Sequence, residues 1–188
     1  MRVLGISGSL RRDSHNTEPL RAAASLLPSG TEFEIYDGLG EIPPFDEDIE
    51  KHEGHAPDSV QRLRAAIGEA DAVLFATPEY NHSIPGVLKN GLDWVSRPYA
   101  TNTLRNKPVA VMGASTGMFG AVWAQAELRK VLAAIGSRVV DREIPVPTAD
   151  EIVRDREKLD SSGTHSLMVG LIAELLGLAA ERQQQVAA

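Results

Sequence analysis

The sequence predicts one doubly wound α/β domain, a three-layer fold in which helices cover both faces of a five-stranded parallel sheet. Two observations and one general rule support this prediction. Short apolar runs alternate with helical segments along the chain. Strands that alternate with helices form βαβ units with parallel pairing and right-handed crossovers. The 188 residues suffice for one sizeable core and are few for two. We expect the domain to cover residues 1–182 and residues 183–188 to form a frayed tail.

The predicted strands are short runs rich in Val, Ile, Leu and Ala, bounded by Gly, Pro or charged residues. They cover residues 2–7, 31–36, 72–77, 108–113 and 138–142. The runs 72–77 and 108–113 are continuously apolar, which is typical of strands that are buried on both faces.

The predicted helices lie between and after these strands, over residues 19–27, 58–70, 85–95, 120–135 and 167–183. Pro85 occupies the first position of the third helix, and Gly136 follows the fourth, as expected at helix starts and ends. Residues 37–55 show neither helical nor strand periodicity and are rich in Gly, Pro and acidic residues. We interpret them as a long surface loop.

Composition excludes several classes of protein. The net charge is -7, and no run of basic residues is longer than the pair Arg11 and Arg12, which argues against nucleic acid or anionic lipid as partners. The chain has no Cys and therefore no disulfide, thiolate nucleophile or Cys-bound metal, so redox chemistry requires a cofactor.

The sequence also lacks clear features of a membrane span, a signal peptide or a metal-binding motif. No apolar run approaches the roughly 20 residues of a membrane span, and the apolar run at residues 1–6 is too short for a signal peptide. We expect a cytoplasmic protein that does not span a membrane. The segment His-Glu-Gly-His at 52–55 lacks the spacing of a helical zinc motif, so we predict a solvated loop there and no metal site.

Three unusual loops mark a candidate binding crevice. Ligands of open α/β sheets bind beyond the carboxyl ends of the strands, at the topological switch point, which lies between strands one and three in the flavodoxin-like order 2-1-3-4-5. Loop 1 (residues 8–17) follows strand one, loop 2 (residues 77–85) follows strand three, and loop 3 (residues 113–120) follows strand four. The sequence therefore predicts that these loops converge.

Loop 1 has the chemistry of a phosphate site. It carries hydroxyl, amide and guanidinium groups directly before a predicted helix, whose terminal N–H groups favour an anion. Neither a G-x-G-x-x-G fingerprint nor a Walker A lysine is present, which indicates a terminal monophosphate rather than a pyrophosphate. Judged by spacing alone, an ordinary capped turn without a ligand explains loop 1 equally well.

Loops 2 and 3 suit a flat ring. Two prolines, Pro78 and Pro85, stiffen loop 2, where Tyr80 can lie against a ring and Asn81 can bond to its edge. The glycines of loop 3 let bare backbone approach a ligand, and its N–H groups favour negative charge. The alternatives are a rigid turn with a surface tyrosine and a glycine-rich turn without a ligand.

The combined motifs resemble the NADPH-dependent FMN reductase family, which includes quinone, chromate and azo-dye reductases. The resemblance rests on Gly-Ser-Leu-Arg at 8–11 with Ser14 and Asn16, and on Pro-Glu-Tyr-Asn-His-Ser-Ile-Pro-Gly-Val-Leu-Lys-Asn at 78–90 with Asp-Trp at 93–94. It extends over residues 1–145. The resemblance implies a flavodoxin-like fold, bound FMN, NADPH or NADH as the electron donor, and a homodimer or homotetramer.

The resemblance also implies roles for individual residues. The phosphate ligands would be Ser9, Arg11, Ser14, Asn16 and Thr17. The flavin-ring loop would supply Pro78, Glu79, Tyr80, Asn81 and Ser83, and the pyrimidine edge would face Ser115 and Gly117. We expect no catalytic residue beyond the flavin, with Tyr80 and Asn81 as candidate positioning residues. Many relatives have two adjacent glycines followed by Arg, where this chain has Gly-Ala-Val-Trp at 120–123.

The predicted function is ping-pong transfer of a hydride from the nicotinamide to flavin N5, followed by reduction of a quinone, free flavin, azo or metal-oxyanion acceptor. Two alternatives remain open at the level of sequence. One is a flavodoxin-type electron carrier that does not accept a hydride. The other is a flavin-free interaction domain on the same fold, for which the departures at Ala121 and Trp123 are the sequence support.

Overall fold

The sheet is parallel, as the alternation of strands and helices predicts. The protein's structure, a computed structural model, describes residues 1–49, 55–147, 149 and 163–187. The strands are β1 (Arg2–Ser7), β2 (Glu32–Tyr36), β3 (Ala72–Thr77), β4 (Pro108–Ala114), β5 (Arg138–Val139) and β6 (Pro145–Val146). The order is β2-β1-β3-β4-β5, with β6 also paired to β4, and every pairing is parallel. The predicted strand order is confirmed.

Helices connect the strands and cover both faces of the sheet. They are α1 (Thr17–Ala24), α2 (Asp58–Glu69), α3 (Gly86–Val95), α4 (Val122–Ile135) and α5 (Thr164–Ala187). Short 3₁₀ helices occupy Gly38–Glu41 and Tyr99–Thr101. Buried side chains of α2, α3 and α4 pack on one face of the sheet, and those of α1 and α5 pack on the other.

The central strands are buried on both faces because their side chains alternate between these two helical layers. In β3, Val73 and Phe75 face the layer of α2 to α4, whereas Leu74 faces the layer of α1 and α5. Strands β1 and β4 alternate in the same way. This burial fixes the register of the strands and aligns their carboxyl ends, where loops 1, 2 and 3 emerge.

The edge of the sheet differs from the prediction, because two short strands replace the single strand expected at 138–142. β5 pairs with the start of β4 and β6 pairs with its end. Three charged residues between them, Asp141, Arg142 and Glu143, form ion pairs with helices instead: Arg129 of α4 binds Asp141 and Glu143, and Arg142 binds Glu174 of α5. Residues 141–143 thus lie between the two short strands, with their side chains paired to α4 and α5.

The segment 37–49 is less exposed than the predicted surface loop. Leu39 and Ile42 are buried. Trp94 of α3 donates its indole N–H to the Pro43 carbonyl oxygen at 2.9 Å and meets the Phe45 ring edge to face, with centroids 5.0 Å apart. The apolar residues of segment 37–49 are widely spaced in sequence. They pack near α3 although the segment has neither helical nor strand periodicity. The predicted solvated segment 52–55 lies mostly outside the described residues, since only residue 55 of it is described.

Helix α5 is long and apolar enough to cross a membrane when judged by length and composition alone. Its apolar side chains have another explanation, because Met168, Leu171, Ile172 and Leu175 are buried against the sheet. The helix extends to Ala187, beyond the predicted helix end at 183, and residue 188 lies outside the described residues. The outer limit of the domain stays a prediction.

Candidate functional site

Loops 1, 2 and 3 meet in one crevice at the carboxyl end of the sheet. Loop 1 begins where the Gly8 amide extends the sheet by donating to the Ala76 carbonyl at 2.8 Å, beside the start of loop 2. The crevice is lined by Ser9, Arg11, Ser14, His15, Asn16, Pro78, Glu79, Tyr80, Ala114, Ser115 and Thr116. Eight of the twelve cofactor-binding residues predicted from the sequence line this crevice, whereas Thr17, Asn81, Ser83 and Gly117 do not.

Hydrogen bonds between side chains and backbone within loop 1 define its conformation. The Ser9 hydroxyl accepts the Arg11 amide at 3.3 Å, and the Arg11 guanidinium donates to the Asp13 carbonyl at 2.6 Å. The buried Ser14 hydroxyl accepts the Asn16 amide at 3.1 Å. Such turns mimic the hydrogen bonding of a helix cap and leave hydroxyl and guanidinium groups at the crevice.

Asn16 joins loop 1 to loop 3. Its carboxamide nitrogen donates to the Ala114 carbonyl at 2.9 Å, and its carboxamide oxygen accepts the Ala114 amide at 2.9 Å. The side chain is buried, and both of its polar atoms are engaged in this pair. Asn16 therefore positions two walls of the crevice. The Thr17 hydroxyl donates to the Ser7 hydroxyl at 3.2 Å and lines a neighbouring cleft with Arg21 and Asp37.

Loop 2 ends in a tight two-residue turn. Tyr80 and Ser83 exchange both backbone hydrogen bonds, at 3.0 and 3.1 Å. Between them, Asn81 and His82 have φ angles of 54° and 62°, as the mirror-image type I′ turn requires at both central positions. The turn places Tyr80 at the crevice and Asn81 at the exposed tip.

Glu79 caps helix α4 from loop 2. One carboxylate oxygen, Oε2, accepts the amides of Trp123 and Ala124 at 3.1 and 3.2 Å. The other oxygen, Oε1, lies 3.6 Å from His82 Nδ1. A carboxylate at a helix N-terminus satisfies free amides and complements the helix dipole. Glu79 thereby fixes the start of α4 beside the crevice.

Loop 3 is positioned by close backbone packing. Gly120 has a φ of 55°, and a Cβ added there would lie 2.6 Å from the Val146 amide nitrogen of β6. Ala121 also has a positive φ, 61°, although it carries a Cβ. The Ser115 hydroxyl donates to the Gly117 carbonyl at 3.3 Å, which places Ser115 at the crevice and Gly117 outside it.

Comparisons with known proteins agree with this geometry. The model of the NADPH-dependent FMN reductase family matches residues 1–151. An NAD(P)H-dependent FMN reductase of Pseudomonas aeruginosa is 48% identical over 132 residues, which are 70% of this chain and 69% of that protein. The chain belongs to the NADPH-dependent FMN reductase family. The predicted resemblance and the assignment as an oxidoreductase of this family are thus confirmed.

Two further relatives of the family are similar to this chain. A 2-hydroxy-1,4-benzoquinone reductase of a Burkholderia species is 41% identical over 133 residues, 71% of this chain and 70% of that protein. The structure of a flavoenzyme NAD(P)H:(acceptor) oxidoreductase from Paracoccus denitrificans superimposes with a TM-score of 0.74 at 35% identity, covering 92% of this chain and 97% of the other. The flavodoxin-like fold is therefore confirmed.

Some features of the crevice are not evident from local sequence. His15, Ala114 and Thr116 line the crevice, and Glu79 caps α4. Each lies within a loop that the sequence marks, but the partners of Glu79 are 44 and 45 positions away. Sequence spacing offers no signal for contacts at that separation. Among the described residues, no group of three or more His, Asp or Glu side chains is placed to hold a metal ion.

Proposed function

We propose that this protein binds FMN in the crevice of loops 1, 2 and 3 and transfers electrons from NAD(P)H to a small-molecule acceptor. The observation that supports the proposal is the convergence of loop 1, with its hydroxyl and guanidinium side chains, and of loops 2 and 3 on one crevice at the switch point of the sheet. Membership of the family, whose name includes both FMN and NADPH, agrees with it.

The residues of the crevice fit a phosphate at one end. The hydroxyls of Ser9 and Ser14 and the guanidinium of Arg11 line this part of the crevice, and loop 1 leads into the N-terminus of α1. Hydroxyl donors, a guanidinium and helix-terminal amides together recognise a phosphate monoester. We expect Asn16 to act here by holding loop 1 in shape, because both polar atoms of its side chain bind Ala114.

The other end of the crevice fits an isoalloxazine ring. Pro78 and Tyr80 provide apolar surface, and Ser115 and Thr116 of loop 3 provide polar groups for the edge of a ring. We expect Asn81 to reach the ring or the acceptor from the exposed tip of the turn. In this assignment Tyr80 and Asn81 are positioning residues, since an aromatic ring and an amide orient a planar ligand.

When bound, FMN supplies the redox chemistry by accepting a hydride at N5 and passing electrons to an acceptor. The overall reaction balances as NAD(P)H, a proton and a quinone giving NAD(P)⁺ and a hydroquinone. The protein's own contribution is to bind and orient the reactants. We expect amides of loop 3 beyond Ser115 to favour negative charge at the ring, because the amides of Ala114 and Ser115 already donate to Asn16 and Val146. Because a single crevice would have to admit both the donor and the acceptor, we infer a ping-pong order.

The wider predictions follow from the family. We expect quinones, free flavin, azo compounds and metal oxyanions as possible classes of acceptor, with either NADPH or NADH as donor. We also expect a homodimer or homotetramer in the cytoplasm, without a nucleic acid or membrane partner. Light scattering of the purified protein would test the expected oligomeric state.

The test is the visible absorbance of FMN-reconstituted protein under argon, before and after addition of NADPH and, separately, NADH. We expect bound FMN, detected by quenching of its fluorescence, and bleaching of the flavin band by at least one donor. A bound flavin that both donors leave oxidised would favour the electron carrier. Protein that does not bind FMN at all would favour the flavin-free domain.

A further inference from the structure

The rim of the crevice exposes large apolar side chains. The exposed fractions are 53% for Tyr80, 78% for Met118, 58% for Phe119 and 44% for Trp123. These residues belong to loops 2 and 3 and to the first turn of α4. Exposed aromatic side chains that gather beside a binding crevice indicate a recognition surface rather than scattered surface residues.

Three of the rings at the rim form a defined cluster. Trp123 lies at the centre, with its ring centroid 4.9 Å from that of His82 and 5.1 Å from that of Phe119. The interplanar angles are 88° and 66°, the edge-to-face arrangement that aromatic pairs favour. We call His82, Phe119 and Trp123 the aromatic cluster.

The aromatic cluster is fixed to the walls of the crevice. Glu79 lines the crevice and binds the Trp123 amide, so the position of Trp123 depends directly on loop 2. His82 and Tyr80 belong to the same tight turn, and Tyr80 lines the crevice. On the other side, Thr116 lines the crevice three residues before Phe119. The cluster therefore borders the space that an acceptor must enter.

The charge of this rim is as informative as its shape. Neither residues 77–85 nor residues 113–126 contain Lys or Arg. The first basic residue of α4, Arg129, binds Asp141 and Glu143 at the edge of the sheet. The Glu79 carboxylate adds negative charge near Trp123, although its Oε2 is engaged by amides. Arg11 of loop 1 also lines the crevice, but we assign its charge to the phosphate end. At the rim formed by loops 2 and 3 an anionic acceptor thus meets no Lys or Arg, whereas an uncharged planar ring gains apolar and stacking contacts.

We propose that the aromatic cluster, with Trp123 at its centre, makes uncharged planar quinones the preferred acceptors over anionic ones. This inference rests on the proposed function, because it concerns the second half of that reaction. The quinone gains two electrons and two protons and becomes a hydroquinone. The two electrons and one proton come from NAD(P)H, and the second proton comes from solvent. Trp123 acts by binding the acceptor and takes no part in the transfer of protons.

The experiment compares two acceptors that share one ring system, naphthoquinone and naphthoquinone sulfonate. The flavin of the holoenzyme is reduced photochemically under argon, and its reoxidation by each acceptor is followed by stopped flow. The measured quantity is the ratio of the two second-order rate constants. When this ratio is compared between variants, the intrinsic reactivities of the acceptors cancel.

The variants are Trp123→Arg, which adds a cation and removes the ring, and Trp123→Phe, which keeps an aromatic ring. We expect Trp123→Arg to lower the preference for the uncharged quinone about tenfold and Trp123→Phe to change it less than about twofold. Trp123→Gln, which removes the ring without adding charge, is expected to fall between them, and it serves in place of Trp123→Arg if that variant does not fold.

An unchanged ratio in a Trp123→Arg or Trp123→Gln variant that still binds FMN would overturn the inference. Equal or faster reoxidation of the wild type by the sulfonate after correction for its reactivity with free reduced FMN would also overturn it. Photochemical reduction keeps this test separate from the proposed function: failure of NAD(P)H to bleach the flavin would contradict that function and would leave the acceptor preference measurable.

Discussion

At the amino-terminal end of the sheet, polar side chains bind partners within the protein, whereas at the carboxyl-terminal end many of them face the crevice. The buried Lys107, just before β4, donates its Nζ to the carbonyl oxygens of Gly68 and Ala70 at the end of α2. Asp71, just before β3, accepts the Arg2 amide at 2.7 Å and the Gln183 side-chain amide at 2.9 Å. The polar groups of Lys107 and Asp71 at the amino-terminal end of the sheet are thus hydrogen-bonded within the protein.

The carboxyl-terminal end instead holds strained backbone and exposed apolar surface. Of the four non-glycine residues with positive φ in the described chain, Asn81, His82 and Ala121 lie there. The exposed rings of Tyr80 and Trp123 lie there too. Strain of this kind persists where surrounding structure enforces it, and it gathers at binding sites. The comparison teaches that polar groups at one end of the sheet bind within the protein, whereas the other end forms the crevice of the candidate site.

The largest expected effect tests whether backbone packing holds the carboxyl-terminal end. Gly120→Ala places a Cβ 2.6 Å from the Val146 amide nitrogen at a φ of 55°. We expect the free energy of unfolding, measured by urea denaturation, to fall by about 2–4 kcal/mol. Gly117→Ala is the matched control, because its nearest neighbour is the Ser115 hydroxyl at 3.7 Å. Equal stability of the two variants would show that loop 3 moves freely away from β6.

The second prediction concerns a substitution in loop 1 that should weaken the binding of FMN and leave the free energy of unfolding unchanged. Arg11→Gln removes the guanidinium that lines the crevice, and a charge-assisted hydrogen bond to a phosphate contributes about 1.5–3 kcal/mol. We therefore expect the dissociation constant for FMN, measured by fluorescence quenching, to rise about 10- to 100-fold. Arg12→Gln, on the exposed neighbouring residue, is expected to leave it within about twofold. Equal effects of the two variants would indicate a general charge effect.

The third prediction concerns a substitution at the amino-terminal end of the sheet that should lower the free energy of unfolding and leave the affinity for FMN unchanged. Lys107→Met leaves the carbonyl oxygens of Gly68 and Ala70 without this donor, so we expect a loss of about 1–3 kcal/mol in unfolding free energy near pH 7. Affinity for FMN should be unchanged, since Lys107 lies at the other end of the sheet. A weakened affinity at unchanged stability would reverse the roles given to the two ends.

The same variant has a predicted pH dependence. Burial lowers the pKa of Lys107 to about 8 from 10.5. Between pH 8 and pH 10.5 Lys107 holds more protons in the unfolded chain than in the folded protein. In this range Lys107 therefore makes the free energy of unfolding rise with pH. The difference in unfolding free energy between wild type and Lys107→Met should therefore grow from about pH 7 to about pH 9.5. A constant difference would contradict the lowered pKa.

The smallest expected effect is that of Asp71→Asn. Burial alone raises the pKa of Asp71, but hydrogen bonds from the Arg2 amide and Gln183 outweigh it, so the pKa is lowered from 3.8. The stabilisation from Asp71 is thus present above this pH and is lost as the pH falls through the lowered pKa. We expect Asp71→Asn to lose about 1 kcal/mol near neutral pH. In acid the difference from the wild type should vanish, and a difference that persisted there would rule out this origin.

Elements with strong periodicity were predictable, and elements fixed by distant contacts were not. β1 and β3 have the predicted bounds, since continuous apolar runs are buried on both faces. The edge strand is divided at residues 141–143, where Asp141 and Glu143 pair with the distant Arg129 of α4. Residues 37–49 pack through isolated apolar side chains such as Phe45, and a window of sequence cannot distinguish these from a surface loop.

The candidate site was predictable as a set of loops, while the roles of its side chains stay predictions. Turn residues and hydroxyls mark loops 1, 2 and 3 locally. The positions of Asn16 and Glu79 depend on partners that are 98 and 44 residues away. The aromatic cluster joins loop 2 to α4 in the same way, through rings of His82 and Trp123 that are 41 positions apart.

The sequence by itself determined the order of the elements, the family and the three loops that bear the site. These follow from periodicity, turn chemistry and motif spacing, which act over a few residues or one βαβ unit. Only the tertiary structure decided that Asn16 binds Ala114, that Glu79 caps α4 and that Trp123 stands at the rim of the crevice. Contacts of this kind form only once the sheet has aligned the carboxyl ends of its strands, because no local interaction brings these residues together.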